Sequence, residues 1–152
     1  MMATVNPWNK SDKQIENFRF FGKVLIMEAQ TQEWLKQSDY DIDTAVYMHE
    51  GGRHIYAVFM CHLAIEKALK RLFYETHREI PPKTHNLIYL LNKIGIKPPS
   101  KPGKFIVKLS EASIPIRYPE NLSKLQKTYT EEVVGEILAD GKDVILWIKE
   151  KL

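Results

Sequence analysis

The sequence predicts an all-α protein, an up-down bundle of about five helices. Apolar residues recur at the three- and four-residue spacing of a helix in several long segments. No segment shows a convincing alternation of apolar and polar residues, as a half-buried strand would. Glycines and prolines separate the helical segments by short connections, which favours antiparallel packing of consecutive helices.

Bulk composition narrows the class of protein. The 152 residues suit one domain, and 44% hydrophobic residues are enough for a core without disulfides. A single cysteine fits a reducing compartment. The N-terminus lacks a signal-like apolar segment and no run is long enough to span a membrane, so we expect a cytoplasmic protein. The net charge of +3 permits contact with phosphates, although a solvated lysine-rich surface explains it equally well.

Two parts are predicted along the chain: a partly ordered N-terminal arm, residues 1–28, and a helical bundle, residues 29–152. The first residues, to about Lys13, resemble a poorly ordered terminus. Residues 17–27 are rich in aromatic and aliphatic side chains. They form either a short helix or an arm that packs on a neighbour.

The first two helices of the bundle are predicted to form an antiparallel pair. One runs from about Gln30 to Glu50 and ends at the glycine pair Gly51-Gly52. The second runs from about Arg53 to His77, and Pro81-Pro82 prevents its continuation. Its many apolar positions make this second helix the structural centre.

Two shorter helices are predicted next. Thr84 is the expected N-cap of a helix from His85 to about Ile94. A proline-rich connector, residues 97–104, leads to a segment from Phe105 to Ser113 that is either a fourth helix or a strand. Pro115 is expected to break it.

The last helix is predicted to begin after Tyr129. Thr130 can cap it. Gly135 and Gly141 lie within it, and glycine weakens a helix interior. We therefore expect close backbone contact or local bending at these two positions.

The sequence contains no pattern that calls for a metal or a cofactor. No two histidines are four residues apart, and no HExxH or CxxC occurs. Cys61 lies within a predicted buried helix and is expected to be a core residue. His62 and Glu66 are one helical turn apart, which predicts a buried histidine held by its neighbouring carboxylate.

A stripe of cations and rings on the second helix is a candidate surface for nucleotides. Cations suit phosphates, and aromatic rings can stack on bases. An ordinary solvated face explains the stripe equally well. Its members are Tyr56, Lys67, Lys70, Arg71 and Tyr74.

His85 and Arg117 form a second candidate site. The predicted first turn of a helix places His85 where free N–H groups favour an anion. Arg117, with Tyr118 beside it, lies between Pro115 and Pro119, so its position is restricted. A phosphate ligand explains that restriction; a helix cap or a tertiary salt bridge explains it as well.

Three segments in this order resemble the HEPN domain family: AIEKALKRLF, PPKTHNLIYLL and IPIRYPE, followed by an amphipathic helix. The resemblance extends from about Leu35 to Leu152. It implies a compact helical bundle that usually forms a homodimer and binds a nucleotide or RNA. Many prokaryotic members work beside a small nucleotidyltransferase as a toxin–antitoxin pair, so such a partner is implied too.

Nuclease-active HEPN proteins carry an arginine followed closely by a histidine. Here Arg117 is followed by YPENLSKLQK, which has no histidine. The resemblance therefore implies binding without catalysis, and no catalytic residue is assigned. The alternative is a metal-independent RNase toxin in which His85 completes the pair with Arg117. The predicted nucleotide- or RNA-binding residues are His85, Arg117, Tyr118, Lys67, Lys70, Arg71 and Tyr74.

Overall fold

Six α-helices make up the described part of the chain, which a computed structural model gives for residues 8–152, with side chains from residue 12 onward. This part contains no strand. The predicted all-α fold is confirmed, with six helices where about five were expected. In chain order they are α1 (Trp8–Glu50), α2 (His54–His77), α3 (Leu87–Ile94), α4 (Ser100–Arg117), α5 (Leu122–Thr128) and α6 (Glu131–Lys149).

The central helix is α2, which packs against all five others. Ala57, Ala64 and Ala68 are completely buried on it, and their small side chains allow neighbouring helices to approach closely. Gly52, at a φ of 75°, reverses the chain between α1 and α2. The antiparallel pair predicted from the glycine turn is confirmed.

The first helix is much longer than predicted. It has 43 residues and a length of about 64 Å, at about 1.5 Å per residue. Residues 17–27 are part of this continuous helix, because Gly22 alone is too weak a breaker to interrupt it. Residues 1–7 of the expected disordered terminus lie outside the described residues. The division at residue 28 stays a prediction.

The third helix begins later than predicted. Asn86, and not Thr84, is its N-cap: the Asn86 side chain accepts a hydrogen bond from the backbone N–H of Tyr89 at 2.9 Å. Thr84 Oγ1 accepts instead from the N–H of Asn86 at 3.1 Å. His85 therefore lies just before the helix. The prediction that placed it in the first turn was wrong.

The fourth helix includes Pro102 of the predicted connector and also Pro115, which was expected to break it. Pro102 lies in the first turn, where a backbone N–H would have no helical partner anyway. Pro115 lies in the last turn, and the N–H of Tyr118 still bonds to the carbonyl of Ile114 at 3.0 Å. The predicted break at Pro115 and the strand alternative were wrong, and the connection between α3 and α4 is residues 95–99.

The end of the chain contains one helix that was not predicted. Asn121 caps α5 by accepting from the N–H of Lys124 at 3.0 Å. Thr130 caps α6, as predicted, by accepting from the N–H of Val133 at 3.3 Å.

Cys61 of α2 packs directly against Gly141 of α6. A Cβ atom added at Gly141 would collide with the Cys61 Sγ atom, which confirms the predicted close contact at this glycine. Burial, reinforced by the charge of Asp140, raises the pKa of the Cys61 thiol to about 12. Cys61 is thus a core residue, as predicted, and a poor nucleophile. In the part of the chain described here, no helix is both long and apolar enough to cross a membrane.

Candidate functional site

A cluster of charged and polar side chains lies where α2, α3 and α4 meet. We call it the polar cluster; its members are His62, Glu66, Lys70, His85 and Arg117. Helical spacing places the first three on one side of α2. The segment before α3 supplies His85, and the last residue of α4 is Arg117.

Glu66 connects two members of the polar cluster. Its side chain is almost fully buried, yet Lys70 Nζ donates to one carboxylate oxygen at 2.8 Å and His85 Nδ1 lies 2.9 Å from the other. Burial raises the pKa of Glu66, but hydrogen bonds from Lys70 and His85 outweigh it, so the net pKa is lowered. The predicted pairing of Glu66 with His62 was wrong.

His62 is the uncharged centre of the polar cluster. It is 2% exposed, and neither ring nitrogen has a hydrogen-bond partner among the described residues. Its pKa is lowered to about 4: burial is the largest cause, and the charges of Arg117 and His85 also lower the pKa, against the opposing effects of Glu66 and of the His85 backbone. Arg117 and His85, the two residues of the second candidate site, thus both act on the same imidazole ring.

Arg117 has no carboxylate partner among the described residues. Its guanidinium carbon lies 4.9 Å from the centre of the Phe59 ring, a cation–π contact. The Nη2 atom is buried and has no hydrogen-bond partner in the described part of the chain. The tertiary salt bridge that could have explained the position of Arg117 is therefore absent from the described residues. Arg117 keeps unused donors for an anion.

Beside the polar cluster, Arg117 also lines a pocket of about 410 Å³, which we call the Arg117 pocket. The start of α2 forms one wall. Arg53 is the N-cap of α2 and makes no side-chain cap, and no described residue accepts from the N–H groups of His54 and Ile55. Free N–H groups at a helix N-terminus attract anions. The lining residues are Gly52, Arg53, His54, Ile55, Tyr56, Ile116, Arg117, Pro119, Leu122, Gln126 and Tyr129.

Two tyrosines give the Arg117 pocket its aromatic character. Tyr56 is 60% exposed, and Tyr129 is half-buried, with a pKa raised by that burial. Phosphate-binding donors and aromatic rings in one pocket of this size suit a nucleotide or a short stretch of RNA. The sequence analysis included Tyr56 but missed Arg53 and Tyr129. The sequence feature that could have identified Arg53 is its position directly after the glycine pair that ends α1.

The cations of the predicted stripe on α2 are occupied by carboxylates. Lys67 pairs with Asp41 at 2.6 Å, Lys70 with Glu66 at 2.8 Å and Arg71 with Glu75 at 2.9 Å. These pairs reduce the charge that each side chain can offer to a phosphate.

The two tyrosines of the binding prediction have opposite surroundings. Tyr74 is 2% exposed, so the stripe is not a solvated face at this position and the ring offers no surface for a base. Tyr118 is 78% exposed next to Arg117, although it does not line the pocket.

The model of the HEPN domain matches residues 31–152, which is most of the chain. The chain belongs to the HEPN family. This confirms the resemblance, and both the polar cluster and the Arg117 pocket lie within the matched HEPN domain.

Solved structures share the fold of this HEPN domain. TT1696 from Thermus thermophilus is 24% identical, with a TM-score of 0.71, and the match covers 81% of this chain and 98% of TT1696. ST0689, an archaeal HEPN homologue, is 27% identical, with a TM-score of 0.64 over 79% of this chain and 95% of ST0689. No curated protein matches the sequence.

Proposed function

We propose that this HEPN protein binds a nucleotide or RNA, with a phosphate at Arg117. The observation that carries the proposal is the Arg117 side chain: one guanidinium nitrogen is buried without a hydrogen-bond partner among the described residues, and the same residue lines the Arg117 pocket. A buried cationic donor without an acceptor is costly unless a ligand supplies one. Arg53 and the N-terminus of α2 extend the positive potential toward the same pocket.

The first prediction is that Arg117→Ala weakens binding of a fluorescein-labelled single-stranded RNA by about 10- to 100-fold. This follows from losing ~1.5–3 kcal/mol of charge-assisted hydrogen bonding. Fluorescence anisotropy measures the affinity, and competition with unlabelled mononucleotides shows whether a single nucleotide suffices. The matched control is Lys142→Ala, which removes an exposed cation from α6.

Thermal unfolding of the same variants separates binding from folding. The proposal requires Arg117→Ala to keep a melting temperature close to that of the unmutated chain. An unchanged affinity with a sharply lower melting temperature would make Arg117 a structural residue. Equal losses in Arg117→Ala and Lys142→Ala would show that binding is only diffuse charge attraction.

A second candidate function is metal-independent RNA cleavage, and the Glu66–His85 contact favours it. A carboxylate on Nδ1 fixes the orientation of the His85 ring and leaves Nε2 for proton transfer. The His85 side chain is 66% exposed, so a substrate can reach it. Arg117 is near enough to share an electrostatic environment with His85, and an arginine can stabilise the charge that develops on a phosphorane.

Cleavage of labelled RNA in the presence of EDTA tests this second function. Activity that disappears in both His85→Ala and Arg117→Ala, and weakens in Glu66→Gln, would support it. Activity that persists in either alanine variant comes from another site or a contaminant. Binding without cleavage leaves the first proposal in place. The nucleotidyltransferase partner remains a prediction from the family, which co-purification with the product of a neighbouring gene would test.

A further inference from the structure

An open apolar groove lies between α3 and α4. It has a volume of about 760 Å³. Leu91 and Ile106, which line it, are buried, whereas Ile88 and Val107 are 37% and 44% exposed. We call it the α3–α4 groove. Its aliphatic and proline side chains include Ile88, Leu91, Ile96, Pro98, Ile106 and Val107.

The segment that forms this groove is strongly basic. Residues 80–110 contain six lysines and no acidic residue, so they carry more than the whole net charge of +3. Lys97 and Lys104 line the α3–α4 groove, and no carboxylate does. Neither lysine pairs with a carboxylate in the described part of the chain, whereas the neighbouring Lys101 pairs with Asp140 at 3.6 Å.

We propose that the α3–α4 groove binds an acidic amphipathic helix of a partner protein. A groove between two helices accepts the apolar face of a third, whose anchors recur every three or four residues. Because α3 has eight residues and a length of about 12 Å, about two turns of the bound helix lie along it. Carboxylates at the border of that apolar face meet Lys97 and Lys104, and this charge complementarity selects an acidic partner.

One end of the α3–α4 groove has its shape fixed before any partner binds. Pro98 and Pro99 restrict the backbone between α3 and α4. Gly103 packs on that connection, since an added Cβ would lie 3.4 Å from the Cγ atom of Pro98. A groove that is already formed loses little conformational entropy on binding, which favours affinity.

The lining of the α3–α4 groove does not suit RNA. Proteins bind single-stranded RNA largely by stacking its bases on aromatic rings or on the planar guanidinium group of arginine. None of the residues that line the groove is aromatic, and none is an arginine. Aliphatic walls with two lysines therefore favour a protein partner over a nucleic acid.

This chain itself is a poor source of the occupant. In a symmetric pair the same surface patch of both copies meets, so two α3–α4 grooves would bring Lys97 and Lys104 against their own counterparts. Residues 1–7 contain no carboxylate, so the start of the chain lacks the charge that complements these lysines. The occupant is therefore assigned to a different protein.

This docking site is independent of the proposed function. The α3–α4 groove and the Arg117 pocket share no lining residue. Val107 lies ten residues before Arg117 on the same helix, a separation of roughly 15 Å. A groove variant should therefore leave RNA binding unchanged, and Arg117→Ala should leave docking in the groove unchanged.

A designed peptide tests the chemistry of the partner. The probe is a fluorescein-labelled peptide of about 14 residues, with leucines at helical spacing on one face and glutamate and alanine elsewhere. Fluorescence anisotropy should show binding to the unmutated chain at micromolar concentration. A peptide with lysine in place of every glutamate should bind at least ~10-fold more weakly, because it meets Lys97 and Lys104 with like charges.

Variants of the groove test its location. Val107→Glu should weaken binding of the glutamate peptide by ~10-fold or more, because it places a carboxylate against the apolar face of the peptide. The matched control is Leu146→Glu, which changes an exposed apolar residue of α6 outside the groove and should keep full affinity. Lys104→Glu should weaken binding by roughly 5-fold, and Lys142→Glu, with the same change of net charge on α6, should not.

Thermal unfolding and peptide affinity together keep the test decisive. All four positions are exposed, so each variant should keep a melting temperature close to that of the unmutated chain. If Val107→Glu unfolds, the comparison of Lys104→Glu with Lys142→Glu decides alone, and equal affinities in that pair would overturn the proposal. Absence of binding up to ~1 mM peptide, or equal affinity for the glutamate and lysine peptides, would also overturn it.

Two further results would assign the α3–α4 groove to another occupant. One is displacement of the peptide by single-stranded RNA together with weaker RNA binding in Val107→Glu, which would make the groove a nucleic-acid surface. The other is a mass of two chains by light scattering that falls to 17.8 kDa in Val107→Glu but not in Leu146→Glu, which would assign it to a second copy. Either result would overturn docking of a partner helix.

Discussion

Burial sets the chemistry of His62. The ring is 2% exposed between Glu66 on its own helix and the charges of Arg117 and His85 from other elements. Desolvation is the largest effect, and it keeps the ring neutral at physiological pH, with a pKa of about 4. His62 therefore acts as a polar core residue under Arg117, and the exposed His85 is the histidine that a ligand can reach.

The lowered pKa of His62 predicts a pH dependence of stability. The unfolded chain takes up a proton on His62 near pH 6.5, whereas the folded chain resists it until about pH 4. The free energy of unfolding should be highest above pH 6.5 and fall as the pH drops toward 4, by on the order of 3 kcal/mol in total. Urea unfolding at a series of pH values measures this.

His62→Gln supplies the comparison for that series. Between pH 6.5 and 4.5 the variant should show a smaller slope than the unmutated chain. The lowered pKa of Glu66 makes its own contribution disappear only as the pH falls below about 4.5, so this window isolates His62. Equal slopes in the two proteins would show that His62 titrates normally in the fold.

At the scale of helices, two glycines of α6 that look alike in the sequence have different surroundings. Gly141 is buried against Cys61 of α2, and an added Cβ would collide with the sulfur atom. A Cβ added at Gly135 would make an ordinary contact, 3.5 Å from His49 Nε2. Only Gly141 determines how closely α6 approaches α2.

Gly141→Ala should therefore destabilise the protein by about 1–3 kcal/mol through overpacking. Gly135→Ala should be neutral, or stabilising by up to ~1 kcal/mol, because alanine is the better helix former. Chemical denaturation compares them. In a chain that already carries Cys61→Ala, Gly141→Ala should cost less stability than it does in the unmutated chain, because the sulfur atom that the new Cβ would meet is gone. Equal effects at the two glycines would contradict the close contact.

At the scale of the whole molecule, basic and acidic residues are nearly equal in number. The chain has a net charge of +3, and carboxylates pair with Lys67, Lys70 and Arg71. Arg53 and Arg117 have no such partners among the described residues and line the same pocket. Any attraction for nucleic acid should therefore come from a small site and not from a broad basic surface.

This distribution predicts a weak salt dependence of RNA binding. Each phosphate contact to single-stranded RNA contributes about −0.7 to the slope of log affinity against log salt concentration. Two arginine contacts give a slope of about −1.4, and Arg117→Ala should reduce its magnitude by about 0.7. A salt titration of RNA affinity measures both. A slope steeper than about −3 would mean that cations outside the Arg117 pocket also contact phosphates.

The sequence by itself determined the helical fold, the family, both ends of α2, the C-terminal ends of α1 and α3 and the start of α6. These depend on local physics: apolar periodicity, the glycine turn at Gly52 and the cap at Thr130 all act within a few residues. Predictions from these local rules were wrong where two alternatives lie within a few residues of each other along the chain. Thr84 and Asn86 can both cap α3, and prolines in the terminal turns of α4 cost too little to stop it.

Tertiary structure alone decided the partners within the site. Sequence spacing favoured the contact of Glu66 with His62 one turn away, but the carboxylate bonds to His85, 19 positions along the chain. It also decided that Arg117 meets the start of α2, which no spacing can indicate. The physical reason is that a buried charge takes the partner that compensates its desolvation best, and the path of the whole chain determines which partners are within reach.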